Sequence, residues 1–551
     1  MTAPIEERPE GALTHRQIVT ILTGLMMGMF LAALDQTIVA TAIRTIADDL
    51  KGLEHQAWAT TAYLITSTIV TPLYGKLGDI YGRKKLFITA ITVFVIGSVM
   101  CTFSDSMLQL AAFRAIQGLG AGGLFSLALA IVGDIVAPRE RAKYQGYFLA
   151  VFGTSSVLGP VIGGFFAGAD SILGITGWRW VFLVNVPVGI VALTVVLRTL
   201  HLKHTRLNHR IDWLGAVLLS VSLIPLLLVA EQGREWGWGS SESITCYAIG
   251  VVAGIAFLLW EFRMGDEAIL PLAMFRNKTV GVSSTASIII GMAMFGGLAC
   301  LPLYLQIVKG ASPTKAGLLL LPMTLGIMAG SILSGQIISR TGRYRIFPIV
   351  GAGLLTVSLF VFHYVHYDTP LWQTMIVMTA FGVGLGFNFQ PLTLAVQNAV
   401  PPQQIGVATA TATFTRQIGG TLGTAVFLSI LFSTASEKIA EAMKAAVPTA
   451  DFQAALKDPA NAAFAQGLAA SQQSGGGAAG EVLKDSSFLT GLDPRLAKPF
   501  LVGFSEAMDL VFLVGSAVMV LGFLVMLLLP QVELRKTSGQ EGRLAEAAAD
   551  A

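Results

Sequence analysis

The chain has 551 residues, 54% of them hydrophobic and only 13% charged, with a formal net charge of +3. A soluble domain carries roughly 25% charged residues, so the deficit excludes an ordinary soluble protein and points to an all-α polytopic membrane protein. The small basic excess is spread over short loops, which fits topogenic charge and argues against nucleic-acid binding, and Cys101, Cys246 and Cys300 stand far apart in no metal or redox spacing.

Residues 1–17 are polar and read as a cytoplasmic tail. Spans are predicted at 18–43, 57–74, 86–103, 107–133, 144–168, 179–199, 212–230, 244–262, 279–307, 313–337, 346–364, 371–396, 404–433 and 500–529. Each is near or above the ~20 residues that a helix needs to cross the hydrocarbon. The first is too long for a cleavable signal peptide and is expected to stay as a span. Fourteen spans put both termini on one side, and the Lys- and Arg-rich loops place that side in the cytoplasm. The least defined boundary lies between the ninth and tenth, around Gly310. Segment 434–500 reads as a long external loop with a helical piece, Glu437–Ala446, and a flexible SGGGAAG at 474–480. The tail 530–551 is polar and expected to be disordered.

In the first span Asp35 sits within FLAALDQTIVATA. A carboxylate inside a span costs ~2.5–3.5 kcal/mol on insertion scales, so such a residue is expected to face a cavity and work there. Met26, Met27, Met29 and Phe30 give the same helix a soft, adaptable surface. Between the second and third spans comes GKLGDIYGRKK at 75–85, where Gly75 and Gly82 permit close packing and Asp79 lies among Lys76, Arg83, Lys84 and Lys85. A topogenic charge cluster alone explains neither the spaced glycines nor the acid.

Arg114 is a second intramembrane charge, in LQLAAFRAIQGLGAGG. A guanidinium keeps its proton, so it needs a partner or a watered cavity. The GLGAGG string follows no strand, so it is read as close helix packing and not as a nucleotide loop. Asp134, with Pro138, Arg139, Glu140 and Arg141, closes the fourth helix on the inner side. The fifth carries Gly153 and then Gly159, Pro160, Gly163 and Gly164, a pliable kink between close-packing glycines. Trp178 and Trp180 read as an interfacial belt and, with Asn185, as structural anchors. Glu231 and Glu261 end the seventh and eighth spans and are expected to snorkel. Glu506 and Asp509 are expected in the first turns of the last helix, near the outer surface.

The sequence also repeats itself. GQIISRTGRYR at 335–345 aligns with 75–85, placing Gly335, Gly342, Arg343 and Arg345 on Gly75, Gly82, Arg83 and Lys85, with Ser339 at the Asp79 position. GVGLG at 382–386 echoes GLGAG at 118–122. The expected organisation is therefore a six-helix bundle at 18–200, a two-helix insert with linkers at 201–277, and a second six-helix bundle at 278–529.

These strings carry a family resemblance. The run from Gly75 to Leu86 fits G-x-L-x-D-x-x-G-R-K-x-L and resembles the signature loop of the major facilitator superfamily. LDQTIVATA resembles the helix-1 motif of the fourteen-helix drug:proton antiporters, with Ala40 at its Asn position, Thr41 at the second Val and Arg44 where Pro often follows. Arg114, Gln117 and Gly118 match the helix-4 motif R-x-x-Q-G. Gly159-Pro160-x-x-Gly163-Gly164 matches the antiporter motif of exporters, and Trp178 to Pro187 matches WRWxFxxNxP. Arg416 to Gly423 gives a weaker echo of the small-residue seam.

The resemblance implies the major facilitator fold and an inner-membrane, proton-coupled antiporter exporting apolar, often cationic compounds. Asp35 and Arg114 would couple proton and substrate. Gly75, Asp79, Gly82, Arg83 and Asp134 would form a cytoplasmic latch locking an outward-open state, with the start of helix 11 as Asp79's partner. No nucleotide loop of the GxxxxGK[ST] type is present, so an ion gradient is the expected energy source. The expected partners are small molecules, protons and lipid, with a monomeric transport unit, no cofactor and no metal. The rival readings are an exporter dedicated to one metabolite, amino acid or lipid, and, from other classes, a membrane-embedded enzyme or a non-transporting sensor. No HExxH or Ser/His/Asp set supports an enzyme.

Overall fold

The computed structural model describes residues 15–52, 55–200, 211–462 and 492–535, together with Phe464 and Gln466. The chain ends, the 201–210 connection and SGGGAAG lie outside the described residues, as does the side chain of Glu231. In chain order the helices are α1 (His15–Asp49), α2 (Gln56–Tyr81), α3 (Arg83–Thr102), α4 (Met107–Ile135), α5 (Pro138–Ala167), α6 (Trp180–Leu183), α7 (Asn185–Thr199), α8 (Trp213–Trp236) and α9 (Ser241–Met264). There follow α10 (Lys278–Leu303), α11 (Pro313–Leu319), α12 (Leu321–Thr341), α13 (Ile346–Phe362), α14 (Leu371–Asn398), α15 (Ile405–Ala446), α16 (Ala450–Leu456) and α17 (Pro494–Leu527). A two-stranded hairpin, Ser171–Ile172 with Ile175–Thr176, precedes α6.

Every predicted span falls on helix. Eleven helical stretches among the described residues are long and apolar enough to cross a membrane, and Gly153–Ala167 and Ile346–Phe362 are shorter apolar segments. Side-chain caps mark several starts: Ser106 for α4, Asp212 for α8, Ser240 for α9, Asn277 for α10 and Ser312 for α11 each accept from a backbone N–H of the first turn. Gly82, at φ 95°, turns α2 into α3 within one residue, a backbone conformation that a side chain would oppose. Near Gly310, α10 ends in a wide turn at Tyr304–Val308, and Gly310 adopts φ 61° before α11 starts.

Apolar packing divides the chain. Two buried clusters draw only on residues between 18 and 200, and the largest draws only on residues between 286 and 534. Helices α8 and α9 pack on each other, and α8 leans on α2 and α15. The two large groups meet along two seams, α2 with α15 and α5 with α12.

Three expectations are corrected. The helical piece expected at Glu437–Ala446 is helix, but it continues α15 without a break instead of lying within a separate loop, and α17 begins at Pro494. Ala435 and Ile439 are buried, and a Cβ on Gly503 would lie 2.5 Å from the Ile439 backbone, so packing on α17 carries α15 past its last apolar run. Glu506 and Asp509 consequently lie beyond the third turn of their helix, and Asp509 Oδ2 sits 3.1 Å from His366 Nδ1. Glu261 does not snorkel. It is fully buried, and its Oε2 accepts from the Leu270 N–H at 2.9 Å.

Candidate functional site

Two buried polar clusters stand out, one deep between α1 and α4 and one at the end of α2. Asp35 lies twenty residues into α1, on the face turned to α4, and is fully buried. Arg114 Nη1 reaches its Oδ2 at 2.5 Å and the Gln117 Oε1 at 2.7 Å. Gln117 Nε2 donates to Asp35 Oδ1 at 2.8 Å, so the residue one turn on in α4 grips the same carboxylate. Arg114 Nε donates to the Ala59 carbonyl at 3.2 Å, and the guanidinium lies 4.1 Å from the Tyr63 ring centroid.

A third partner of Asp35 was not expected here. Asn185 Nδ2 donates to Asp35 Oδ1 at 2.7 Å and to Ser98 Oγ at 2.9 Å. Asn185, read from sequence as a structural anchor, thus belongs to the acid's own cradle. The tryptophans do anchor: Trp178 Nε1 donates to Asp49 Oδ2 at 2.7 Å, and Trp180 Nε1 to the Ile172 carbonyl at 3.0 Å. Asp35 therefore accepts from three donors and carries one formal charge against that of Arg114. The cluster is neutral and closely bonded only while the carboxylate is ionised. Adding a proton would remove an acceptor site and leave a buried guanidinium without its counter-charge.

The second cluster sits at the junction of α2 and α3. Arg83 Nη2 meets Asp79 Oδ1 at 2.8 Å, its Nε meets Asp134 Oδ2 at 3.0 Å, and its Nη1 donates to the Ala130 carbonyl. Asp79 Oδ2 accepts from the Val407 N–H at 2.9 Å. That amide lies in the first turn of α15, where free N–H groups and the helix dipole favour a carboxylate. The partner is thus a helix start, but the thirteenth span and not the eleventh. The two inserted helices α8 and α9 shift the number by two, so this span is the eleventh only when they are left out of the count. The expected position, near Ile346, is occupied otherwise: Tyr344 and Arg345 bond to Pro530, Gln531 and Leu527.

Gly75 makes the seam possible. A Cβ there would collide with the Ala410 Cβ and lie 2.9 Å from the Gly406 carbonyl oxygen, so α2 and α15 cross backbone to backbone. Further links across the same end were not found from sequence. Arg141 Nη1 donates to Gln397 Oε1, Gln397 Nε2 donates to Thr409 Oγ1 at 2.8 Å, and Arg139 Nε donates to the Ser339 carbonyl at 3.0 Å. The only hint was the Arg139–Arg141 cluster itself. These bonds tie the two halves together at this end.

The remaining predicted glycines, Gly164 apart, are packing contacts. A Cβ on Gly118 would run into Thr66 Oγ1, and one on Gly159 into Thr37 Oγ1. Gly163 similarly abuts the Ile38 backbone, so α5 rides on α1 close to Asp35. Gly153 faces Thr324 and Met328 of α12, and Pro160 lies against Gly317 of α11, which puts the kinked helix on the seam between the halves. Gly164 has nothing near it.

Comparison with known proteins agrees with this architecture. A family model described as Major Facilitator Superfamily matches residues 25–424. An uncharacterized transporter of that type from Mycobacterium tuberculosis is 35% identical, over 97% of this chain and 72% of its own. Multidrug resistance protein 3 of Bacillus subtilis is 35% identical over 77% of this chain and 81% of its own. A tetracycline resistance determinant of Streptomyces rimosus is 37% identical over 62% of this chain and 97% of its own. Among solved structures, the proton:xylose symporter XylE superposes with a TM-score of 0.60 at 14% identity, covering 97% of this chain and 100% of that one.

Proposed function

The chain belongs to the major facilitator superfamily and is a multi-pass membrane transporter, not an enzyme, and from that premise we propose that it exports small, largely apolar compounds, cationic ones among them, in exchange for protons. The observation that carries the proposal is the neutral, water-excluded Asp35–Arg114 pair inside the spans. Relatives named for multidrug and tetracycline resistance support the outward direction. Protonation of Asp35 would strand Arg114 in a medium of low dielectric. The guanidinium must then reach water or another acceptor, which requires α1 and α4 to move. Proton uptake and helix rearrangement become one event, and deprotonation restores the closed cluster. Asp35 and Arg114 are the coupling pair in this reading, and Gln117 and Asn185 hold the acid in place.

The latch end is assigned to the cytoplasm, because Lys84, Lys85, Arg139, Arg340, Arg343 and Arg345 gather at it. The conformation is then closed inward by Asp79, Arg83 and Asp134, and the kinked α5 and the α12 seam serve as the surface on which the halves rock. In a background with the three cysteines replaced by alanine, a membrane-impermeant maleimide should label Arg343→Cys only from the cytoplasmic side and Asp451→Cys only from outside. Labelling of both from one side would overturn the orientation.

The function is tested in proteoliposomes containing only this protein. An imposed pH gradient should drive efflux of the cationic dye rhodamine 6G, and collapse of the gradient by an ionophore should stop it. Efflux that ignores the gradient would remove proton coupling from the account.

A further inference from the structure

Four arginines are buried within the described helices: Arg83, Arg114, Arg141 and Arg416. The first three are fully explained by acceptors. Arg83 lies between two carboxylates, Arg114 holds Asp35, and Arg141 donates to the Val136 and Gly133 carbonyls and to Gln397. Arg416 is different. It is only 7% exposed, yet among the described residues its side chain pairs with no acid and donates to no acceptor. Its one specific contact is a ring: the guanidinium carbon lies 3.9 Å from the Phe389 centroid, on α14.

The position is as notable as the isolation. Arg416 follows Val407 by nine residues of α15, about 13 Å of helix, which puts it near the middle of a ~30 Å apolar layer. Its neighbour Gln417 accepts from Thr71 Oγ1 of α2 at 3.2 Å, so the residue lies beside the seam between the two halves. Asp35 cannot serve as its partner. The same Thr71 hydroxyl reaches the Gly122 carbonyl, eight residues and so about 12 Å along α4 from Arg114, and Arg114 already holds that acid. An unpaired cation at mid-depth is among the most disfavoured groups a span can carry, and such groups mark substrate pathways. The Phe389 ring attracts the guanidinium but supplies no counter-charge. Among the described residues its fork of N–H donors has no acceptor and can bond an acidic oxygen that enters the seam.

From this we infer that Arg416 and Phe389 form a substrate subsite for an acidic oxygen, a carboxylate or a comparable anion, carried on an aromatic or apolar body. The inference rests on the export reading and narrows its substrates: the unneutralised charge at the seam is positive, so compounds bearing an anionic group are bound in preference to simple cations. The planar fork suits two oxygens of one carboxylate, and Phe389 offers its ring to the attached apolar part.

Two dyes on one xanthene skeleton test the assignment, anionic fluorescein and cationic rhodamine 6G, titrated by fluorescence anisotropy against the purified full-length protein. Wild type should bind fluorescein the more tightly. Arg416→Gln should weaken fluorescein by about tenfold or more, the scale of one lost charge-assisted contact, and leave rhodamine 6G within about twofold. Arg416→Lys should fall between, since an ammonium keeps the charge without the fork. In case the glutamine variant does not fold, wild type alone also decides: fluorescein, but not rhodamine 6G, should shield Arg416 from phenylglyoxal, read by mass spectrometry. Equal modification with and without fluorescein, or unchanged fluorescein binding by a monodisperse Arg416→Gln, overturns the subsite. Binding of rhodamine 6G without fluorescein overturns this assignment alone, whereas binding of neither dye overturns the broad export reading on which it rests.

Discussion

Asp35→Asn is expected to abolish gradient-driven export while also destabilising the protein. The two effects have separate causes. An amide at position 35 cannot take up a proton, so the event that ties protonation to movement of α1 and α4 is gone. The same change leaves Arg114 buried beside Tyr63 and Gln117 without a counter-charge, and removing one partner of a buried pair costs about 3–5 kcal/mol. The double variant Asp35→Asn/Arg114→Gln removes both charges and should recover much of that stability, because two neutral amides can bond in the space of the ion pair. Export should stay absent in the double variant. Thermal unfolding in detergent and pH-driven efflux in proteoliposomes separate the two quantities. Recovery of export together with stability would mean that the pair is structural and that coupling resides elsewhere.

Arg83→Gln should open the latch. Arg83 lies between Asp79 and Asp134 at 2.8 and 3.0 Å, and all three are buried. A loop charge of this kind would ordinarily be worth little, being solvated, but burial changes the scale. Without the guanidinium two carboxylates face each other in a dry site, a loss of about 3–5 kcal/mol for the closed arrangement. The relief available is separation of α2 from α15, which lets water reach both acids. Ala410→Cys, at a position buried against Gly75 in the closed seam, should therefore react slowly with maleimide in an otherwise unchanged chain and much faster with Arg83→Gln present, with export lost. Asp79→Asn should be milder, since an amide oxygen can still accept from Val407. Equally slow labelling of Ala410→Cys with and without Arg83→Gln would show that Arg83 does not hold this end closed.

Local strings revealed the residues whose roles are dictated by neighbours in sequence or by their cost in a span. Asp35 and Arg114 were visible because charge inside an apolar run is expensive, and Asp79 with Arg83 because acid and base sit one helical turn apart around a glycine turn. Asn185 was not visible. Its neighbours Trp178 and Trp180 read as an interfacial belt, and nothing in spacing ties it to an acid 150 residues away. Gln397 escaped for the same reason: its partners Arg141 and Thr409 come from different halves. That the helical piece Glu437–Ala446 continues α15 was missed because Glu437, Lys438, Glu441 and Lys444 end the apolar run. Those side chains lie on an exposed face, with Lys438 Nζ 2.8 Å from Glu441 Oε2, while Ala435 and Ile439 bury the other. Glu261 was misplaced because burial of an acid at a helix end depends on a backbone donor, Leu270, from the next segment.

The central claim is that protonation of Asp35 and movement of α1 and α4 are one event, so that substrate binding that favours the closed cluster expels the proton from Asp35. The direct measurement is proton release from the detergent-solubilised protein in weakly buffered solution on addition of rhodamine 6G, for wild type and for the stable Asp35→Asn/Arg114→Gln variant. Wild type should release protons, and the variant should release none. Equal release by both would contradict the account and move the coupling site away from Asp35.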